Sequence, residues 1–525
     1  MPQSPLYITT PIYYVNDRPH IGHVYTTTVC DVWARFFRFA GREVFFLTGT
    51  DEHAAKVVDA AAERGLSPQE WADTNAGAFQ DTFRRLGLTN DDFIRTTQDR
   101  HKEKVVGYVK ALLDSGDVYL GEYSGWYDAG QEEYVPDGKA KEYEFKSPIN
   151  GKPLVQKTEE NYFFKLSAYR EPLLAHFESH ADFVQPGARR NEILNRIADA
   201  EDIPISRSGT GGWGISVPGD DTQTIYVWID ALFNYLTTVD TEERRKFWNC
   251  GALHVIAKDI LWFHAAVWPA ALMALAKCEG YAWVNQPRQV YAHSFWISEG
   301  QKMSKSLGNF IDLEAIDRYC EAYSLDALRY YLATQGPLGA TDSDFVAAHF
   351  HEIYQTDLVN TVGNCASRVT AMMEKYFEGV VPEAADRVMS DHDWPVITGA
   401  AVDGCFAAME RFDLAGAIGE GLALIRRVDG FINLTAPFKL AKDESKRDEL
   451  ATILYQCLEV VRIASLLLWC VCPGKMEELW GALNLDIDPQ QGGLREITKW
   501  GGLTAGNPVK KVALFPRVEA PLCPA

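Results

Sequence analysis

Along the first hundred positions the apolar residues switch between two spacings. "LYITTPIYYV" is rich in β-branched and aromatic residues and ends at the turn-forming "NDRP". "IGHVYTTTVCDVWARFFRFAG" then carries apolar side chains at helical spacing and stops at Gly41, and "EVFFLTG" reads as a short buried strand. A helical pattern through "DEHAAKVVDAAAERG" leads to "SPQE", where Ser67 and Glu70 have capping-box spacing and Pro68 takes the first helical position. This strand–helix–strand–helix alternation predicts an α/β fold, a doubly wound parallel sheet with helices on its faces.

The texture changes over 117–223, where aromatics, glycines and charges mix and Asn150-Gly151 signals a turn; this stretch reads as an inserted, partly β domain. Alternation returns with the strand "TIYVW", the helix "IDALFNYLTTV", the strand "LHVIA" and the helix "DILWFHAAVWPAALMALAK". The strand "QVYAHSFWI" leads into "SEGQKMSKSLGN". Beyond about residue 346 strand signals almost vanish, and long helical patterns predict an all-α bundle.

Length and composition narrow the class. At 525 residues the chain is too long for one core, so two to four domains are expected. A net charge of −21 counts against an all-over nucleic-acid binder while leaving room for a local basic track. The ten cysteines are scattered without a C-x-x-C pair, which suggests free thiols in a reducing compartment. The first residues lack the basic and apolar regions of a signal peptide, and "IASLLLWCVC" is too short to span a bilayer. The expectation is a soluble, cytoplasmic protein with no membrane partner.

Two clusters can carry chemistry. His20 and His23, in "PHIGH", stand where a strand hands over to a helix, the place at which doubly wound sheets bind ligands. The helix start offers N–H groups and a positive dipole end to a phosphate, and Gly22 allows close approach. Taken alone, the pair reads equally well as two surface histidines; a metal pair lacks a neighbouring third ligand. "KMSKS", Lys302–Ser306, sits between Gly300 and Gly308, and reads either as a mobile cationic clamp on a phosphate or as a solvated basic loop.

In this order, "HIGH" and "KMSKS" resemble the two signatures of the class I aminoacyl-tRNA synthetases. "TTPIYYVN…PHIGH", "FLTGTDEH", "YVWIDALFNY", "KDILWFHAAVWPA" and "KMSKSLGN" look like the methionyl branch, nearly end to end. The resemblance implies a Rossmann-like catalytic domain in two halves, 1–116 and 224–295, split by the 117–223 insertion. A KMSKS loop and linker follow at 296–345, and a helical anticodon-binding domain at 346–525. It implies a methionine–tRNA ligase that forms methionyl-adenylate from methionine and ATP, with Mg²⁺ on the phosphates, and then charges tRNA(Met).

In that scheme His20, His23, Lys302 and Lys305 would be the catalytic donors, and Gly22, Lys258, Asp259 and Ser304 would join them around ATP. Asp51 would pair with the substrate ammonium. Thr10, Pro11, Tyr13, Trp228, Ala231, Tyr235, Ile260, His264 and Trp268 would enclose the methionine side chain. Spacing agrees with shared helical stripes for Trp228, Ala231 and Tyr235 and for Ile260, His264 and Trp268; the plainer reading is two core stripes. Asn364 and Arg368 match the family's anticodon-reading N-x-x-x-R, and Phe438 stands where the family has a stacking tryptophan.

Two rival readings are a relative that joins its amino acid to a small acceptor, such as a cysteine ligase, and a tRNA-binding module without activity. The chain also departs from the family pattern. Ala257 replaces a glycine, and Asp128, Gln131, Ser147 and Asn150 stand where zinc-knuckle ligands are expected, so no structural zinc and no protein-bound metal is expected. The basic stretch 187–197 fits either a tRNA contact or a solvated helix, and the chain length favours a monomer.

Overall fold

The computed structural model describes residues 4–128, 133–135, 137–208, 212–298, 300–303, 309–383 and 392–522. Its central sheet is all-parallel and is built from β1 (Leu6–Thr9), β2 (Tyr13–Tyr14), β3 (Val44–Asp51), β4 (Asp92–Arg95), β5 (Val184–Gln185), β6 (Ala252–Ala257) and β7 (Gln289–His293). Every residue of β3 is buried, as expected for a central strand covered on both faces. Gly49 lets β4 approach β3, since a Cβ there would lie 2.0 Å from the Ile94 carbonyl oxygen.

β1 and β2 run along the same edge of β3. Thr9 faces Leu47 and Tyr13 faces Thr50, so four steps on one strand oppose three on the other. The extra residue within Thr10–Ile12 forms a bulge that swings the chain off the sheet. β6 pairs with the other edge of β1. Chain order therefore reverses at β1, and the crevice at the carboxyl ends of β1 and β6 is the switch point of a doubly wound sheet.

Helix α1 (Ile21–Phe39) is buried over most of its surface, unlike an ordinary surface helix of such a sheet. One side packs on the sheet and the other on the C-terminal helices. Trp33 Nε1 donates to the Met409 carbonyl at 3.0 Å, and Asp31 receives Arg329 of the helix Leu325–Gln335 at 2.6 Å. Arg329 also donates to the carbonyls of Cys470 and Val471, tying α1 to the helical region. That region is built largely from α-helices including Trp394–Glu410, Leu414–Thr435 and Arg447–Leu468. The last is long and apolar, and nearly all of its apolar stretch is buried, as in a core helix of the bundle.

Further helices used below are α2 (Pro68–Arg85), α3 (Asp99–Asp114), α4 (Val227–Thr237) and α5 (Trp268–Leu275). The capping box at the start of α2 is present, with Ser67 Oγ accepting from Glu70 N and Glu70 Oε2 accepting from Ser67 N.

Three elements differ from the pattern-based expectation. Val184–Gln185 leaves the antiparallel sheets of the 117–223 stretch and extends the main sheet beside β7. Asp220–Ile225 pairs with Ser206–Ser208 and Ser216–Val217 in a small antiparallel sheet instead of joining the parallel one, and Trp228 lies in α4. The expected continuous helix over 259–277 is broken. A 3₁₀ turn at Lys258–Ile260 and a π turn at Phe263–Val267 precede α5. Pro269 explains the break: it cannot donate to the carbonyl four residues back, so the upstream turn widens and Trp268 N donates to Phe263 O.

Candidate active site

The switch point opens into a cavity of about 530 Å³. The bulge after β1 contributes Pro11, Ile12 and Tyr13; α1 contributes His20, Gly22 and His23; the end of β3 contributes Asp51. Trp228, Ala231 and Tyr235 line the same cavity from one face of α4, and Ala257, Asp259, Ile260 and His264 line it from the segment after β6.

Thr10 lies behind this wall. It is fully buried and its hydroxyl donates to the Pro11 carbonyl at 2.7 Å while lying 2.7 Å from Thr48 Oγ1, so it fixes the bulge without facing the cavity. Tyr13 stacks on Phe79 and meets His23 edge-on, with its hydroxyl 2.9 Å from Thr27 Oγ1.

The two histidines cap α1 reciprocally. His20 Nδ1 accepts from Gly22 N at 3.1 Å, and His23 Nδ1 accepts from His20 N at 3.2 Å. Ile21 N donates to the Ile311 carbonyl. These backbone N–H groups are engaged, so the anion-binding capacity of the helix start passes to the imidazoles. With Nδ1 accepting, each neutral ring carries its proton on Nε2 as a donor. Burial, and then the neighbouring His20, hold His23 well below the usual histidine range. Gly22 leaves room for the cap: a Cβ there would sit 3.0 Å from His20 Cε1 and press the capping imidazole aside by a few tenths of an ångström.

Asp51 is 3% exposed and its Oδ1 has no hydrogen-bond partner. Burial, then repulsion from Asp230 and Glu52, raise its carboxyl well above the usual range. A backbone hydrogen bond from His53 opposes that rise without cancelling it. A buried carboxylate with one oxygen unpaired is costly, so this group either keeps a proton or meets a cation.

The apolar wall is rigid. Trp228 stacks face to face on Phe263, 4.1 Å between centroids and 5° between planes. His264 is tied at both nitrogens: Nδ1 lies 3.0 Å from the Ile260 carbonyl, and Nε2 lies 2.8 Å from the Tyr235 hydroxyl. The carbonyl can only accept, so Nδ1 is the donor and Nε2 accepts from the Tyr235 O–H. Burial lowers His264 to about 4, which keeps this tautomer neutral.

Trp268, expected beside these residues, does not line the cavity. The π turn rotates it beneath Tyr235, fully buried, where its indole N–H donates to His254 Nε2 at 3.3 Å. Phe263, not among the residues expected here, takes the place against Trp228. His254, on β6, and Phe263 thus back the wall without lining the cavity, and neither is singled out in the sequence.

At the nucleotide end the assigned residues are less gathered. Lys258 donates to Asp342 Oδ1 at 2.5 Å and lies over the Phe295 ring, outside the lining. Asp259 lines the cavity; burial raises its carboxyl, against the backbone N–H groups of Asp259 and Ile260 and then the charges of Lys302 and Lys258. Lys302 is exposed in the two-residue strand Gln301–Lys302, paired with Trp296–Ser298. Ser304 and Lys305 lie outside the described residues.

Asn364, Arg368 and Phe438 are on the bundle, apart from the cavity. Asn364 is exposed at the start of Asn364–Phe377. Arg368 donates to Asn433 Oδ1 at 3.1 Å and lies 3.7 Å from Asp429, and Phe438 is 45% exposed. In the insertion, Val135, Ala140 and Leu154 form a small apolar cluster closed by Trp126 and Tyr143. Ser147 organises the adjoining turn, accepting from Gly151 N and donating its own N–H to the Lys152 carbonyl. Asp128 is buried, Asn150 is exposed, and Gln131 lies outside the described residues.

Known proteins share this arrangement. The family model described as tRNA synthetases class I (M) matches residues 6–143 and 140–370. A methionine–tRNA ligase of Caldanaerobacter subterraneus is 40% identical over 98% of this chain and 79% of its own length. That of Streptomyces coelicolor is 40% identical over 98% of this chain and 96% of its own. The solved structure of Mycobacterium tuberculosis methionyl-tRNA synthetase in complex with methionyl-adenylate superposes with a TM-score of 0.88 at 34% identity, covering 98% of this chain and all of that one.

Proposed function

The chain belongs to the class I tRNA synthetases, in their methionine-specific branch, and on that premise we propose how its side chains divide the work. It is an ATP-dependent aminoacyl-tRNA ligase. The methionine carboxylate displaces pyrophosphate at the α-phosphorus of ATP, and the 3′-terminal adenosine of tRNA(Met) then takes the methionyl group and releases AMP.

The observation that carries the residue assignment is the unpaired Asp51 carboxylate at the edge of an aromatic cavity. In our reading the substrate ammonium supplies its missing partner. The thioether lies against Trp228, Ala231 and Tyr235, with Ile260, Tyr13 and Pro11 completing the enclosure. Thr10, His254 and Trp268 support this wall from behind. Because the Tyr235 proton is committed to His264, the pocket floor favours a weakly polar sulfur over a side chain that needs a donor.

His20 and His23 then present Nε2–H to the phosphate chain as neutral donors, and Lys302 with Lys305 neutralises charge as pyrophosphate leaves. Ser304 is assigned to the same clamp. Gly22 and Asp259 flank the nucleoside, and Lys258 contributes only if it leaves Asp342. Neither step needs a protein nucleophile; positioning and charge stabilisation suffice. Mg²⁺ would arrive on the phosphates of ATP. Among the described residues no group of three or more His, Cys, Asp or Glu side chains converges to hold it.

Asn364, Arg368 and Phe438 are assigned to the anticodon, the first two by hydrogen bonding and the last by stacking. We further propose that the insertion folds without zinc, its apolar cluster doing what a metal does elsewhere, and that the chain acts as a cytoplasmic monomer. Stoichiometric zinc in the purified protein would overturn the first of these, and a dimer by light scattering the monomer assignment.

The deciding assay is ATP–pyrophosphate exchange run with each of the twenty amino acids on the wild type and on Asp51→Asn. Exchange with methionine alone, lost in the variant, supports the assignment. A variant with wild-type methionine affinity removes Asp51 from the site.

A further inference from the structure

Behind Asp51 runs a line of buried side chains that does not touch the cavity. Asp230 of α4 lies with Oδ2 2.6 Å from His53 Nδ1 and Oδ1 2.8 Å from His101 Nε2. His101 Nδ1 continues the line to Thr237 Oγ1 at 3.0 Å. The side chains of His53, Asp230 and His101 are 5%, 1% and 0% exposed. They come from three places, the turn after β3, α4 and α3, so no single stretch of sequence contains the cluster.

The network shares its surroundings with Asp51 and Glu52, so three buried carboxylates crowd the amino-acid end of the cavity. Two of them are answered. Glu52 receives Arg95 of β4 at 2.7 and 3.0 Å, and Arg95 also holds Asp73 of α2. Asp230 has its two imidazoles. The other polar groups packed here are engaged elsewhere: Lys104 of α3 donates to the carbonyls of Thr237 and Asp240, and Tyr235 and His264 hydrogen-bond each other. Trp213 caps the turn, donating to the Glu52 carbonyl at 2.7 Å.

We propose that His53 and His101 are positioning residues for the substrate ammonium: by holding Asp230 between them they disperse its charge, leave Asp51, held only by the His53 backbone N–H and with Oδ1 unpaired, as the one of the three carboxylates without a side-chain partner, and so set the pH at which methionine binds. The proposal rests on the reading of Asp51 as the ammonium's partner. Its electrostatic content is a pair of opposite effects. Removing the Asp230 charge relieves repulsion, so Asp51 ionises at lower pH. Removing an imidazole leaves Asp230 less compensated, so Asp51 ionises at higher pH. A purely structural role would weaken binding in both cases without that opposition.

The test is methionine affinity of the full chain from pH 5 to 9, followed by tryptophan fluorescence, beside the pH profile of methionine-dependent exchange. Asp230→Asn should move the acid limb about one unit down and His53→Gln about one unit up, making KM for methionine about tenfold higher near pH 6 in the latter. KM for ATP should hardly move. Shifts in the same direction, or an unmoved limb in variants that melt like the wild type, overturn the proposal. If Asp230→Asn does not fold, the upward shift in both His53→Gln and His101→Gln decides it. Asp51→Asn separates the two layers. Loss of methionine binding there with unmoved limbs in the network variants rejects the network alone. Retained binding rejects the Asp51 reading as well.

Discussion

The catalytic cavity and the bundle surface recognise their proposed partners in contrasting ways. In the cavity, Tyr235 and His264 hold each other and the Nδ1 atoms of His20 and His23 cap α1 before any substrate arrives, and Asp51 Oδ1, a buried carboxylate oxygen without a partner, is the atom assigned to the substrate ammonium. On the bundle, Asn364 and Phe438 face solvent, and Arg368 rests against Asn433 and Asp429 on a neighbouring helix. A small ligand repays a preset enclosure, because each group locked in advance lowers the ordering cost of binding. A large polyanion can reorder exposed side chains, since it brings many contacts of its own. The proposed assignment thus places recognition in strained electrostatics at one end and in available surface at the other.

The comparison can be broken by substitution. The largest effect is expected at Asp51→Asn, with methionine-dependent exchange falling by about three orders of magnitude, the worth of a buried ion pair. Melting temperature should hold or rise, because an unpaired buried carboxylate is removed. A parallel loss of stability would mean that Asp51 is part of the scaffold.

Next, His20→Ala with His23→Ala should slow activation about 10²- to 10³-fold while sparing methionine affinity, measured by single-turnover adenylate formation. The same change removes both caps of α1 and costs about 1–2 kcal/mol of stability.

A third effect is acid sensitivity of the cavity. His264 and His293 are held at about 4 by burial, against 6.5 unfolded. Between these values the unfolded chain binds more protons than the folded one, so stability is full above pH 6.5 and falls as pH drops toward 4. Each imidazole contributes at most about 3 kcal/mol to that fall. Denaturant melts at pH 7, 5.5 and 4.5 measure it, and His264→Gln should flatten part of the slope.

On the bundle, Arg368→Ala should lower tRNA charging about 10- to 100-fold with exchange untouched. The smallest change is expected from Phe438. Alanine should cost less than about tenfold in charging and tryptophan should gain a few-fold, both through stacking area. If Arg368→Ala slows exchange as well, the two regions are not separable and the contrast fails.

How much of this was legible in the chain depended on local regularity. Trp228, Ala231 and Tyr235 share a face because α4 is a regular helix, and the pattern of spacing revealed it. Trp268 defeated the same logic, since Pro269 forces a wide turn that α-helical counting does not contain. The capping box at Ser67 was readable because both partners lie three residues apart. The His53–Asp230–His101 line was not, because its members lie 129 and 177 residues from one another's partners and meet only through the fold. Val184–Gln185 escaped for another reason: two residues are too few to show a period.

The wide turn at Phe263–Val267 has a consequence for how this pocket can diversify. A five-residue turn differs from an α turn by a single inserted residue. Losing one residue there together with Pro269, which otherwise holds the turn open, would restore regular winding and re-phase the side chains on either side of it, so that the pairing of Phe263 with Trp228 and of His264 with Tyr235 could not both survive. The neighbouring strand β6 and the helix α5 would keep their places. A change of winding at this one point would thus re-shape the side-chain wall of the cavity while leaving the strand and the helix that carry it in place.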